Sequence, residues 1–284
     1  MSSEEIKFKR ILLTTAHTNE TESVKKFIKH LASLHIPVGW KLHLVIADNS
    51  GTWPDDLEIP DFCLVFKSGA NLGYLGGCRY ALDKWLDQYS GWPDFYGIVN
   101  NDIIFQTNFF SKLVNLPVPE DVAIIAPDIT IRSDEARENP FLSSRLRPYQ
   151  VLRLRAIFSN RITATLYEIA HLVRRRLIYK LKHYFPKDNT AENMKTIFAP
   201  AGSAMFIRPV FFERGGRLTF RGFFFGEEIF LAEETARLGL KVVWIPGLTI
   251  IHDEHTLLKK ITFARRIKWM QDSLKIIWED YYRK

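Results

Sequence analysis

Short apolar runs alternate with amphipathic stretches over the first half of the chain. The apolar runs predict strands, and stretches whose apolar residues recur at three- and four-residue steps predict helices. The expected strands are 10–15, 42–47, 63–67, 97–99 and 123–126, and the expected helices are 21–34 and 80–89. This alternation is typical of βαβ units, so we expect an α/β fold with a mostly parallel sheet flanked by helices.

The pattern changes between residues 133 and 192. A polar loop is followed by a long helical stretch in which apolar residues recur from Phe158 to Leu181. Residues 145–187 contain eleven Lys and Arg but one acid, Glu168, while the net charge of the whole chain is +7. The remainder of the chain is therefore net acidic. We predict that residues 133–192 form a basic helical insertion within a single domain of residues 1–284.

The regular pattern returns after this insertion. Residues 196–208 again have α/β character, and they are followed by an expected helix at 229–238 and an expected strand at 241–245. A second amphipathic helix is expected at 262–282. These elements would complete the sheet and add a C-terminal helix.

Composition is that of an ordinary globular protein, with 46% hydrophobic and 25% charged residues among 284. It excludes a disordered or collagen-like chain. Cys63 and Cys78 are too few for a disulfide scaffold and fit a reducing compartment. The N-terminus lacks the pattern of a signal peptide, and no apolar run reaches the roughly 18 residues that a membrane span needs. We therefore expect a cytoplasmic protein.

Polar residues follow two of the expected strands directly. Residues 48–51 read Asp-Asn-Ser-Gly after the strand at 42–47, and Asn100, Asn101 and Asp102 follow the strand at 97–99. In open α/β sheets, ligands bind at the carboxyl ends of strands, and a carboxylate there can bind a divalent cation that neutralises a diphosphate. Taken alone, each run is more commonly a turn or a helix cap than a binding site.

A glycine-rich segment, Asn-Leu-Gly-Tyr-Leu-Gly-Gly at residues 71–77, precedes the helix expected from Tyr80. Such a loop allows backbone amides to approach a phosphate at a helix N-terminus. It has neither the ending of a P-loop nor the spacing of the dinucleotide fingerprint. By itself it also fits a structural turn.

Two adjacent acids, Glu227 and Glu228, come directly after an aromatic run at 223–225. Apolar surroundings raise the pKa of a carboxyl group and can make it a general base, although acids at the start of a helix also stabilise its dipole without any catalytic role. His252 follows the next expected strand within His-Asp-Glu-His. A closed zinc site is not expected there, because no cysteine or further histidine lies nearby.

Taken in order, these motifs resemble family-2 glycosyltransferases of the GT-A fold, especially the rhamnosyltransferase-like branch. The resemblance covers residues 9–130 and 197–256 and includes Gly-Ser-Ala-Met at 202–205. It implies an inverting transfer of a sugar from a nucleotide-diphosphate donor to a hydroxyl of a saccharide acceptor. A lipid-linked acceptor in cell-surface polysaccharide synthesis is one such case.

The resemblance also implies roles for individual residues. The nucleotide and donor sugar would be contacted by Thr15, His17, Asp48, Asn71, Gly73, Gly76, Asn101, Gly202 and Ser203. A divalent cation, Mn²⁺ or Mg²⁺, would be held by Asp102 and His252. Glu228 would be the base that deprotonates the acceptor, with Glu227 as the alternative.

The sequence departs from the family pattern in several places. Asn100 and Asn101 stand where acids are frequent, which leaves Asp102 as the one carboxylate of that motif. Glu228 replaces the usual Asp and is one methylene longer. Phe230 and Glu234 replace an Asp and an Arg that are common in that helix. We interpret the chain as a divergent member.

Three other functions are compatible with parts of the pattern. A nucleotidyltransferase shares the sheet and the metal-binding acid, but residues 14–19 lack the expected glycine and cation. The basic segment could bind nucleic acid, yet Arg174, Arg175 and Arg176 lie within an apolar helical stripe and no nucleic-acid module surrounds them. We therefore expect no nucleic-acid partner. A non-catalytic nucleotide-sugar-binding protein is the third alternative.

The basic, apolar helical stretch also has the composition of an interfacial helix. We predict that residues 145–187 make peripheral contact with an anionic membrane on its cytoplasmic face, where a lipid-linked acceptor would lie. The alternative is a helix that packs on the core with solvated Arg and Lys along its edges.

Overall fold

The computed structural model describes residues 8–133, 135–182, 194–253 and 261–283. The strands are β1 Lys9–His17, β2 Trp40–Asp48, β3 Cys63–Lys67, β4 Phe95–Val99, β5 Ile103–Phe105, β6 Val122–Ile131, β7 Lys195–Ile197, β8 Ala204–Ile207 and β9 Lys241–His252. The helices are α1 Thr21–Ala32, α2 Tyr74–Leu86, α3 Phe109–Val114, α4 Pro148–Ser159, α5 Arg161–Lys182, α6 Pro209–Glu213, α7 Glu227–Arg237 and α8 Phe263–Ile277. A π-helical turn at Trp278–Tyr282 follows α8.

These strands form one sheet in the order β3-β2-β1-β4-β8-β6-β9-β5, and β7 also pairs with β9. In the described chain, β1, β2, β3, β4, β6 and β9 run in one direction, whereas β5, β7 and β8 run against their neighbours. The expected α/β fold with a mostly parallel sheet is confirmed. The carboxyl ends of β1, β2, β4, β6 and β9 therefore share one edge.

Both faces of the sheet are covered, which explains the continuous apolar runs of its central strands. Ile11 and Leu13 of β1 pack on one face in a core that includes α1 and α3, while Leu12 packs on the other face with α2. Burial alternates between the two cores because successive side chains of a strand point to opposite faces.

Two boundaries differ from the sequence prediction and both affect the site. Helix α2 begins at Tyr74 rather than at Tyr80, so Gly76 and Gly77 lie in its first turn instead of in a loop. A Cβ at Gly77 would lie 3.0 Å from both Ala16 Cβ and Asn49 Nδ2, so the helix packs more closely on the strand ends than another residue would allow. Strand β9 continues to His252, because an irregularity opposite Pro127 and Asp128 accommodates Pro246 and Gly247.

The basic segment forms two helices rather than one long helix, because Asn160 has an extended backbone between α4 and α5. Phe158 and Ala164 pack against Ile267 and Leu274 of α8. Within the predicted insertion, residue 134 and residues 183–192 lie outside the described residues. None of the described helices combines the length and apolarity needed to cross a membrane.

Candidate functional site

The predicted metal ligands meet at the carboxyl edge of the sheet. Asp102 precedes β5, and antiparallel pairing of β5 with β9 places Ile103 opposite His252. The backbone N–H of Asp253 donates to the carbonyl of Asp102 at 3.0 Å, and His252 Nε2 lies 3.1 Å from Asp102 Oδ1. Two residues 150 positions apart in the chain are thereby held side by side.

This pair fits one divalent cation. Two ligand atoms that bind an ion at about 2.1–2.2 Å in adjacent positions are about 3 Å apart, and the pair is 3.1 Å apart. A carboxylate oxygen and an imidazole nitrogen suit Mn²⁺. In the described ranges no group of three or more His, Cys, Asp or Glu side chains could hold a metal ion, so other ligands would come from a bound molecule or water.

The imidazole of His252 lies between two carboxylates. Its Nδ1 lies 2.7 Å from Glu138 Oε1, on the side opposite Asp102. Burial alone would lower the pKa of His252, but hydrogen bonds with Asp102 and Glu138 outweigh burial and raise it to about 10. A cation at Nε2 would therefore take the place of a proton.

Sequence reasoning missed Glu138, because it lies in the polar stretch interpreted as an insertion. Besides His252, it accepts a hydrogen bond from the hydroxyl of Ser203. The backbone N–H of Asn100 donates to the carbonyl of Ser203 at 2.8 Å, which joins this contact to the end of β4. Glu138 thus connects a predicted metal ligand to a predicted donor-binding residue.

The two predicted catalytic acids begin α7. They follow Phe225 and Gly226, whose backbones are left-handed with φ of 66° and 87°. A left-handed backbone at a residue other than glycine is unfavourable, on the order of 1–3 kcal/mol, and such strain is often found at functional sites. This turn directs Glu228 towards Gly202, where a Cβ would lie 2.6 Å from Glu228 Oε1.

The environments of the two acids differ. Burial, and then the charge of Glu228, raise the pKa of Glu227 well above its usual range. Glu227 Oε2 is buried and has no hydrogen-bond partner among the described residues. Burial also raises the pKa of Glu228, as does nearby Glu138, while backbone N–H groups including those of Gly226 and Gly202 oppose the rise. Glu228 thus has more backbone N–H groups that stabilise its ionised form than Glu227 has.

Tyr74 is a second residue to which sequence reasoning assigned no role. Its hydroxyl is buried without a hydrogen-bond partner among the described residues. Burial raises the pKa of Tyr74 well above its usual range, and Cys78, Glu227 and Asp102 lie close enough to raise it further. Tyr74, the first residue of α2, therefore follows the glycine-rich turn directly and lies near both Glu227 and Asp102.

Asp48 is fully buried beneath the loop that follows β2. Its oxygens accept hydrogen bonds from the backbone of Ser50, Gly51 and Trp53 at 3.0–3.1 Å, and His17 Nδ1 lies 2.9 Å away. Burial would raise the pKa of Asp48, but these bonds and that of the Ser50 hydroxyl lower it to about 2. The buried carboxylate of Asp48 therefore holds the backbone of residues 50–53 in place through hydrogen bonds.

The glycine-rich turn is bound to this loop and to the aromatic run. Asn49 Nδ2 donates to the carbonyl of Gly73 at 2.8 Å, and the side chain of Asn71 accepts from the N–H of Gly73 at 3.1 Å. Gly73 has φ of 74°, and a Cβ there would lie 2.1 Å from the carbonyl oxygen of Phe223. Only glycine fits this contact.

The remaining predicted residues line the same edge. Thr15 is buried near the end of β1, and the side chain of Asn101 accepts a hydrogen bond from the Ser23 hydroxyl at 3.2 Å. Gly76 lies inside α2, where a Cβ would be 3.3 Å from Leu72 Cβ. Their contacts with a nucleotide or donor sugar stay predictions.

No protein-family model matches the sequence, and no curated protein sequence matches it. The architecture, however, is that of GT-A glycosyltransferases. The crystal structure of GalNAc-T7 with UDP, GalNAc and Mn²⁺ is similar, with a TM-score of 0.52 and 12% identity over 88% of this chain and 44% of that one. A mannosyltransferase, PcManGT from Pyrobaculum calidifontis in complex with GDP-Man and Mn²⁺, has a TM-score of 0.48 and 12% identity over 90% of this chain and 60% of that one.

The likeness to the GalNAc-T7 structure, with its TM-score of 0.52, confirms the predicted GT-A fold. The chain spans less than two thirds of the length of either solved structure. Membership of family 2 and of the rhamnosyltransferase-like branch stays a prediction.

Proposed function

We propose that the protein is an inverting glycosyltransferase, which moves a sugar from a nucleotide-diphosphate donor to a hydroxyl of a saccharide acceptor. The observation that carries this proposal is that the candidate metal ligands and the candidate base are connected at one edge of a GT-A sheet. Asp102 and His252 are in contact with each other, and Glu138 and residues 202–203 lie between them and Glu228.

Asp102 and His252 would hold a divalent cation, Mn²⁺ or Mg²⁺, which stabilises the negative charge of a diphosphate leaving group when bound. The residues of the chain would orient the donor around it. In this proposal the loop after β2 and the turn at Asn71–Gly73 would contact the nucleoside and its phosphates, and Gly202 and Ser203 would contact the donor sugar.

Glu228 would accept the proton of the acceptor hydroxyl as that oxygen attacks the anomeric carbon. A single displacement from the face opposite the leaving group inverts the anomeric configuration. The N–H groups of Gly226 and Gly202 favour the ionised carboxylate that this step needs, whereas buried Glu227 is better suited to remain protonated.

The donor can be identified by thermal stabilisation. Purified protein would be incubated with UDP-, GDP- and dTDP-linked sugars, including dTDP-rhamnose, with Mn²⁺ or with EDTA. One nucleotide sugar should raise the unfolding temperature most, and only with Mn²⁺. The anomeric configuration of the product, read by NMR, then tests the mechanism, because a retained configuration would contradict single displacement. Donor binding without turnover on any saccharide acceptor would instead favour a non-catalytic binding protein.

We also propose that the acceptor is lipid-linked and lies at an anionic membrane. The exposed face of α5 supports this proposal. Ala164 of this helix is fully buried, whereas large apolar side chains at helical spacing are 51–70% exposed. They are Ile162, Leu166, Ile169 and Val173. The basic residues of 145–187 surround this face in sequence, and each cation near an anionic bilayer contributes about 1 kcal/mol of attraction.

Vesicle flotation tests this contact. The wild type should float with vesicles of phosphatidylcholine and phosphatidylglycerol but not of phosphatidylcholine alone, and less at high salt. Replacing Ile162, Leu166 and Ile169 by Ser should abolish flotation, whereas Val38→Ser, at a residue 98% exposed elsewhere, should not. A wild type that never floats, or that forms dimers through this face, would contradict the proposed membrane contact.

A further inference from the structure

Glu138 uses both of its carboxylate oxygens to join two parts of the site. Oε1 lies 2.7 Å from His252 Nδ1, at the end of β9. Oε2 accepts a hydrogen bond from the hydroxyl of Ser203, in the loop before β8. These three residues lie in segments that are 65 and 114 positions apart in the chain, so the contacts depend on the fold.

The backbone around Glu138 is held on two sides. The N–H of Glu138 donates to the carbonyl of Ile129 in β6 at 3.0 Å. The side chain of the next residue, Asn139, donates to the carbonyl of Pro127 at 2.8 Å and accepts from the N–H of Ala201 at 2.7 Å. Residue 138 therefore cannot shift without breaking bonds to both β6 and the loop that carries Gly202.

We propose that Glu138 is a positioning residue: it fixes the ring orientation and tautomer of His252 so that the Nε2 lone pair faces the cation site, and it ties that imidazole to Ser203. With the Nδ1 proton donated to Glu138, Nε2 is the nitrogen left to bind a cation beside Asp102 Oδ1. A carboxylate behind a ligating histidine also increases its basicity. The inference rests on the cation site of the proposed function.

A purely structural brace would give a different result. If Glu138 were only a structural brace, Glu138→Gln and Glu138→Ala would act only through the stability of the fold. Loss of a brace would not change the protonation of one ring nitrogen of His252. A positioning role predicts that the hydrogen bond at Nδ1 and the cation affinity both follow the chemistry of side chain 138. Gln keeps an oxygen that can accept from Nδ1 but lacks the charge, so Glu138→Gln should be intermediate between wild type and Glu138→Ala.

The first measurement needs no metal. Protein labelled with ¹⁵N at its eight histidines should show hydrogen-bonded imidazole N–H resonances that are absent from His252→Ala. The one that persists in Asp102→Ala belongs to Nδ1, the nitrogen that faces Glu138. This resonance should be lost in Glu138→Ala and kept, with a changed shift, in Glu138→Gln. It should remain in Ser203→Ala, which removes the other bond of Glu138. A resonance unchanged in Glu138→Ala would overturn the proposal, whatever the protein does with metal.

The second measurement titrates Mn²⁺ by calorimetry with UDP and, separately, GDP as probes. Glu138→Ala should bind Mn²⁺ about 10- to 100-fold more weakly than wild type, and Glu138→Gln should lose less. Nucleotide binding in EDTA should be the same in all variants. Equal Mn²⁺ affinity in folded wild type and Glu138→Ala would overturn the positioning role while leaving the proposed function intact. Absence of Mn²⁺ binding by the wild type would instead contradict the proposed cation site, and the histidine spectra would then decide the role of Glu138 alone.

Discussion

Gly202 lies directly against the side chain of Glu228, and a Cβ at position 202 would be 2.6 Å from Oε1 and 3.2 Å from Cδ of that carboxyl group. The loop before β8 therefore leaves room for the proposed base only because residue 202 has no side chain. Burial raises the pKa of Glu228, and the backbone N–H of Gly202 is one of the groups that oppose this rise. Gly202 thus limits the position of the carboxylate and also favours its ionised form.

Gly202→Ala should displace the carboxyl group of Glu228. Because a shift of about 1 Å in a catalytic group can lower the rate by about 10²-fold, we expect a loss of that order in kcat. Binding of the nucleoside diphosphate without sugar should be unchanged. Gly247→Ala is the matched control, since a Cβ there meets no atom within 4 Å. Equal sugar transfer by both variants would show that Gly202 does not constrain the base.

Glu228→Gln should lose transfer by about 10²- to 10⁴-fold while still binding the donor, because the amide cannot accept the acceptor's proton. Glu227→Gln should retain most activity, because the raised pKa of Glu227 already favours its neutral form. The activity of both variants is measured as a steady-state rate of sugar transfer, with the donor that thermal stabilisation identifies. The reverse order of losses would assign the base to Glu227.

Asp102→Ala should weaken Mn²⁺-dependent binding of UDP or GDP, since it removes the one oxygen ligand beside His252. Calorimetry in Mn²⁺ and in EDTA measures the difference. Asp121→Ala is a suitable control, because Asp121 pairs with Lys241. Lys241 is the first residue of β9, whereas His252 is the last. If Mn²⁺ affects binding equally in wild type and Asp102→Ala, the cation is not held at Asp102.

Asp48→Asn should lower the free energy of unfolding at neutral pH by about 2 kcal/mol, because the pKa of this carboxyl falls from 3.8 to about 2 on folding. A lowered folded pKa contributes stability above the unfolded pKa, so the difference between wild type and Asp48→Asn should fade as pH drops from about 5 to 2. Urea unfolding across this range measures it. Asp56→Asn, at an exposed acid of the same loop, is the matched control. A constant difference between wild type and Asp48→Asn over this range would contradict the account.

Local sequence was informative where the relevant interaction is local. The end of β2 at Asp48 and the end of β4, three residues before Asp102, were predicted because apolar runs stop there. Polar residues that follow such strands lie on the ligand-binding edge of the sheet. The acids at 227 and 228 were found from a different local signal, the aromatic run at 223–225, which is not a strand and lies just before α7. The order of these motifs also led to the GT-A fold, which the architecture confirms.

Helix α2 shows where local reasoning failed. Glycines at 76 and 77 suggested a loop, because glycine is unfavourable inside a helix by about 1 kcal/mol. The structure continues the helix through them, since Gly77 packs against Ala16 and Asn49 more closely than a side chain permits. That contact joins elements far apart in the chain and leaves no local pattern.

The sequence by itself determined the strands, the apolar faces and the acids at the ends of strands, because burial and periodicity are properties of neighbouring residues. Only the tertiary structure decided that Glu138 meets His252, 114 positions away, because the pairing of β9 with β5 and β6 brings their ends together. It also decided which way the apolar face of α5 points. Periodicity predicts that a helix has such a face, but what covers that face depends on how the other elements pack.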